Sequence, residues 1–167
     1  MSYVAISENP PATGHEWMLG RSRSGQEAGA SLACRIEDRQ FLRMHRAFAA
    51  SGGLINGDQV ALRMRRHVAQ PISALARRVV ERSVLNIAWA SQTLLPWFQF
   101  DASNMSVRPV VRTVIEELVP VFDDWELTLW FAEPNVWLQD ARPVDLALCQ
   151  PDAVVGAARA DRYVAAG

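Results

Sequence analysis

Lysine is missing from this chain: all 17 of its basic residues are arginine. Nothing structural forbids lysine on a solvated face, so the absence reads as a GC-rich coding bias. Cysteine is nearly missing as well. Cys34 and Cys149 are too few for a disulfide framework or a cysteine metal cluster. The histidines, His15, His45 and His67, share no metal-ligand spacing. There is no run of about 18 apolar residues, which excludes a helical membrane span. No charged segment followed by an apolar one opens the sequence, so no secretory leader is expected and the expected compartment is the cytoplasm. Catalytic signatures are absent too: no G-x-S-x-G, no Gly-rich phosphate loop, no H-E-x-x-H, no Cys/His pair at useful spacing. The adjacent Asp123 and Asp124 fit helix capping better than a shared-proton dyad. A non-enzymatic protein without cofactor or metal is the expectation.

What is present fits a globular chain. The 167 residues, half of them hydrophobic, suffice for one domain or two small ones with a real core. Charge is unevenly spread. Between Arg35 and Arg82 ten arginines face four carboxylates, whereas from Trp97 onward five arginines face eleven. The basic stretch suits phosphates, the acidic half of a second copy, or the solvated faces of amphipathic helices. Residues 1–30 are rich in Ser, Gly and Pro without periodicity and read as an N-terminal arm, flexible or packed.

A helix is expected over 31–50, capped by Ser31 and ended by Gly52-Gly53. Cys34, Phe41, Met44, His45 and Phe48 mark its inner face, and Arg35, Arg39, Arg43 and Arg46 its outer one. Asn56 and Gln59 form a plausible capping pair for a short helix to Arg66. Pro71 starts a second over Ile72–Arg82, with Ile72, Leu75, Val79 and Ala76 inward. Two short helices and a tight turn outline a helix-turn-helix, and Val84–Trp89 with Leu94–Phe100 would add a hairpin wing. Pro96 argues for an edge strand or bulge. Such a unit would meet DNA through Arg63, Arg65, Arg66, Ser73, Arg77, Arg78 and Arg82. Against this, no basic residue lies between Val84 and Phe100, where a phosphate-gripping wing needs one. Trp89, Trp97, Phe98 and Phe100 suit the buried face of a sheet better than a stacking platform.

The densest aromatic stretch comes later, from Trp125 to Leu146, with three of the six tryptophans. A helix is expected to start at Arg108-Pro109 and bury Val111, Val114, Ile115 and Leu118. A second, capped by Asp123 or Asp124, would pair with it antiparallel. Pro134-Asn135 stops this helix, Val136-Trp137-Leu138 is an apolar return, and Pro143 begins a fresh turn. Asp152 can cap a last helix from Ala153 to about Ala166, where Gly156, Ala157, Ala158 and Ala160 permit close approach.

The order W-F-x-x-P-N-x-W-L … R-P-V-D-L, followed by Pro151-Asp152-Ala153-Val154 and an Ala-rich helix, resembles the toxin-binding C-terminal domain of the Xre/MbcA/ParS antitoxin group. The resemblance covers roughly residues 105–167. It implies a dimeric antitoxin-like protein paired with a toxin of the RES or a related class, with a DNA-binding region upstream. By the same resemblance Arg159, Arg162 and Tyr163 become toxin contacts. The expected architecture is therefore mainly α with a small β-hairpin, in three parts: an arm over 1–30, a helix-turn-helix-like region over 31–104 and an antitoxin-like helical domain over 105–167. Partner binding would rest on Trp130, Pro134, Asn135, Trp137 and Leu138, with Arg142 and Asp145 fixing orientation. The expected partner is a cognate toxin, DNA is a candidate second one, and a homodimer is the expected state. The rival readings are a DNA-binding regulator without a toxin and an orphan scaffold.

Overall fold

Gly52 and Gly53 take φ angles of +103° and +78°, and this left-handed pair turns the chain out of its first helix into a strand. A side chain at Gly52 would collide with the Trp97 ring, so glycine there serves both the turn and the packing of that indole. The computed structural model describes residues 34–167; the expected arm over 1–30 and the Ser31 cap lie outside the described residues. Among the described residues, 40–167 form one compact unit and 34–39 belong to another. Residues 34–39 are helical and all exposed.

The helix over 34–49 is α1. It is followed by β1 (Leu54–Asn56), α2 (Gly57–Met64), α3 (Pro71–Val80), β2 (Ile87–Trp89), β3 (Gln92–Pro96) and a 3-10 turn at Trp97–Gln99. The last part comprises α4 (Pro109–Leu118), α5 (Asp124–Ala132), a second 3-10 turn at Val136–Leu138, α6 (Pro143–Leu146) and α7 (Pro151–Ala165). The described chain is thus mainly α with a small antiparallel sheet. The sheet has three strands in the order β1-β3-β2 rather than the two expected. At three residues, Leu54–Asn56 is too short to show alternation, which is why it escapes a sequence reading. Pro96 ends the central strand, where no further N–H is needed, instead of marking an edge. The hairpin turn is Ala90-Ser91, both with positive φ. Two-residue hairpin turns demand this, and residues other than Gly or Asn adopt it only with strain.

In α1, Met44, Ala47 and Phe48 are buried and Phe41 is half-buried, as its spacing predicts, but Cys34 and His45 are exposed. Asn56 caps α2 by accepting from the Asp58 N–H (2.8 Å) and donating to Gln92, not through a box with Gln59. In α3 only Leu75 is buried. Ile72, expected inward, is 72% exposed, Ala76 is exposed, and Val80 is 82% exposed. The aromatics expected on a sheet face pack otherwise: the strand ends at Pro96, Trp97 and Phe98 lie on the 3-10 turn with Phe100 after it, only Phe98 and Phe100 are buried, and Trp89 and Trp97 are half-buried. Phe98 contacts Phe48 and Phe131, and Trp89 stacks on Phe41 with ring centroids 4.2 Å apart.

One hydrophobic core runs through Met44, Phe48, Leu85, Phe100, Leu118 and Phe131, across the expected boundary at 104/105. The expected α4–α5 pair is replaced by α4 on α7, with α5 laid against β2 and α6. Small residues explain the first: Ala157 and Ala158 are buried and let α7 approach α4. Aromatic packing explains the second: Trp125 of α5 lies against Trp89 of β2 (ring centroids 5.9 Å), and the Thr128 hydroxyl, 2.8 Å from the Asp124 carbonyl of its own helix, also comes within 3.2 Å of the Asn86 carbonyl just before β2. Among the described residues no helix is long and apolar enough to cross a membrane.

Gln99 is fully buried and bridges backbone groups that no strand satisfies. Its Oε1 accepts the Leu85 N–H (2.7 Å), and its Nε2 donates to the carbonyls of Leu85 (2.9 Å) and Pro96 (3.0 Å). Gln99→Leu keeps the volume but orphans these groups, and each buried unsatisfied group costs about 1–3 kcal/mol. Urea denaturation should show a loss of about 3 kcal/mol; an unchanged midpoint would refute the bridging role.

Candidate partner-binding surface

α5 begins with a reciprocal cap. Asp123 accepts from the Glu126 N–H (2.8 Å), and the Glu126 carboxylate accepts from the Asp123 N–H (2.9 Å). Nine residues later the helix stops before Pro134, whose ring restricts the residue before it and supplies no N–H. Asn135 then organises the return. Its Oδ1 accepts the Trp137 N–H (2.9 Å), and its backbone carbonyl accepts from Leu138 and Asp140 (3.0 Å each). Gln139 and Asp140 are both left-handed, and Arg142-Pro143 then opens α6.

The residue that fixes this loop is Asp161, on α7. Three donors converge on its carboxylate: Trp130 Nε1 (2.7 Å) and Asn135 Nδ2 (2.6 Å) on one oxygen, Trp137 Nε1 (2.8 Å) on the other. Sequence reading missed Asp161. A signal was present, since it stands three and four residues after the buried Ala158 and Ala157 and so falls on the inner side of α7. α7 starts at Pro151 with Gln150 before it, so Asp152 is a first-turn residue rather than the cap. Gly156 faces open space and takes no part in close packing.

The expected partner-binding residues therefore separate. Leu138 and Asn135 are buried and hold the loop from within, while Trp130 is half-buried and bound to Asp161. Pro134 is exposed, Val136 is 74% exposed and Trp137 is 54% exposed. Arg142 and Asp145 bind each other in two hydrogen bonds (2.6 and 3.1 Å). Arg159 and Arg162 both bind Glu117 of α4 (2.9 and 2.8 Å), so the pair expected to meet a toxin braces α7 on α4. Tyr163 stands clear of the core.

The expected DNA-contacting residues separate as well. Arg78 donates to the Met105 carbonyl (2.8 Å), and Arg82 to Asp124 and the carbonyls of Val119 and Phe122. Both belong to the fold rather than to a reading surface. Burial, with Arg112 nearby, lowers the Arg78 pKa from its ordinary value. Ser73 and Arg77 remain exposed on α3, and Arg63, Arg65 and Arg66 on and just after α2. Among the described residues no group of three His, Cys, Asp or Glu is placed to hold a metal. No family model, curated protein or solved structure matches the chain.

Hydrogen bonds from Arg159 and then Arg162 lower the Glu117 pKa below its ordinary 4.5. A lowered carboxylate pKa stabilises the fold above the ordinary value, and the contribution is lost as pH falls through the folded-state value. Glu117→Gln should therefore lower the melting temperature at neutral pH, and the gap to the unaltered protein should close on acidification below 4.5. A gap independent of pH would refute the pairing. Asp161→Ala should cost about 2–4 kcal/mol, because it strands indole and amide donors. Urea unfolding measures this, and tryptophan emission should report a loosened Trp137.

Proposed function

We propose that this is a non-enzymatic partner-binding protein of antitoxin type, homodimeric, that captures a cognate protein toxin through the turn at Pro134–Trp137. The observation that carries this reading is Trp137. Its N–H is already satisfied by Asp161, its ring is more than half exposed, and Val136 and Pro134 stand exposed beside it. An aromatic ring held in place beside apolar neighbours is the anchor type that dominates protein interfaces. Exposed apolar groups gathered on one loop also favour association over solvation. The resemblance of residues 105–167 to the toxin-binding domain of the Xre/MbcA/ParS group supports a toxin as the partner. The rival regulator reading is weakened by Arg78 and Arg82, which the fold consumes.

Co-expression with the neighbouring reading frame, followed by affinity purification after nuclease treatment, tests the proposal. The unaltered chain should retain a stoichiometric protein partner. Trp137→Ala should weaken that complex by at least about 2 kcal/mol, roughly thirtyfold, while leaving the circular dichroism melt nearly unchanged. Retention of the partner by a folded Trp137→Ala variant would overturn the assignment of the surface. Absence of any protein partner for the unaltered chain would overturn the function.

A further inference from the structure

The arginines are not all consumed by the fold. The side chains of Arg65 and Arg66, just after α2, make no hydrogen bond or ion pair among the described residues. With Arg63 and His67 they line a cleft of about 690 Å³ that contains no carboxylate. Trp97 forms part of its wall, and Arg63 lies over that ring 4.8 Å from its centroid. The cation–π contact and a long hydrogen bond from Nη1 to the Gln59 carbonyl (3.4 Å) hold the guanidinium, and its other N–H donors have no partner among the described residues.

We propose that this cleft is a sequence-independent binding site for the phosphodiester backbone of duplex nucleic acid, separate from the C-terminal surface and independent of its role. Three features select this ligand. The cleft lies at the C-terminal end of α2, whose dipole is negative there, so it lacks the backbone N–H cradle that a small isolated anion needs. A polyanion touching several arginines at once needs no such cradle. Single strands would require a free aromatic face, but Arg63 covers Trp97, whose edge also meets Gly52 and Phe100. Base reading would require several polar groups on the outer face of α3, where Ile72, Ala76 and Val80 leave only Ser73 and Arg77. The hairpin turn, Ala90-Ser91, adds no cation. Contact with phosphates and no readout of bases is what remains.

The test is fluorescence anisotropy of a labelled DNA duplex of arbitrary sequence, about two helical turns long, titrated with the full chain between about 50 and 200 mM salt. Binding should occur at low salt and fall steeply as salt rises. Arg65→Ala with Arg66→Ala should weaken it about tenfold or more at the upper salt range and reduce the log–log salt slope by about 1.8, or 0.9 per lost phosphate contact. Lysine at both positions should restore binding. Arg43→Ala removes an arginine already paired with Glu133 and should change little. No duplex binding at low salt, equal binding by the Ala variant, or strong preference for one sequence would overturn the proposal. Displacement by millimolar inorganic phosphate as readily as by duplex would show a small-anion site instead and would also overturn it.

Discussion

Arg82 joins the two halves of this molecule. It ends α3 with a φ of 50°, an unfavourable conformation for a side-chain-bearing residue, and that turn aims its guanidinium at the α4–α5 connection. Nε meets Asp124 at 2.7 Å, Nη1 the Val119 carbonyl at 3.0 Å and Nη2 the Phe122 carbonyl at 2.6 Å. The two carbonyls are orphan acceptors beyond the end of α4, and the carboxylate belongs to the first turn of α5. One planar fork thus closes one helix end and starts the next, a geometry lysine cannot supply. With α5 held at this angle, Thr128 reaches Asn86, and Phe131 enters the core beside Phe98. The loop after α5 follows from that placement.

How much of this was legible in the sequence depended on how local the signal was. The buried stripe of α4, Val111, Val114, Ile115 and Leu118, stands as its periodicity predicts, as do Pro71 and Pro143 at helix starts. These depend on neighbours three or four residues away. β1 was not legible, because three residues paired to a strand some forty positions later carry no periodicity of their own. The pairing of α4 with α7 was hidden for a similar reason: chain order favours α5, whereas side-chain volume favours the small face of α7. In the candidate site the residues that carry the surface were visible as an aromatic, proline-bracketed run. Asp161 was not, because a lone carboxylate in an Ala-rich helix looks solvated until three donors are brought to it.

The uneven charge of the sequence resolves in part within the chain. Arg43 reaches Glu133 and Arg82 reaches Asp124, each pair spanning the basic and acidic halves. Arg159 and Arg162 share Glu117 inside the acidic half. An exposed pair such as Arg43–Glu133 adds little stability. Its consequence is different: it removes cations from the candidate binding set. Composition alone cannot make that distinction, since Arg65, Arg66 and Arg82 count equally in net charge.

Trp137 and Arg63 illustrate one device in two chemistries. Each is a long side chain whose mobility opposes binding, because ordering it at an interface costs about 0.5–1.5 kcal/mol. Each is fixed in advance by internal contacts, Trp137 through its indole N–H to Asp161 and Arg63 through the face of Trp97 and a 3.4 Å bond to the Gln59 carbonyl. In both the fixing contacts use one functional part and leave the other outward: the ring of the tryptophan, the remaining donors of the arginine. Each fixing partner is itself held. Asp161 is ringed by donors from Trp130 and Asn135, and Trp97 is set against Gly52, where no larger residue fits. Exposure alone says little about function, since apolar atoms cover much of any protein surface. Exposure of a side chain already held by internal contacts is more specific, because the ordering entropy has been spent during folding.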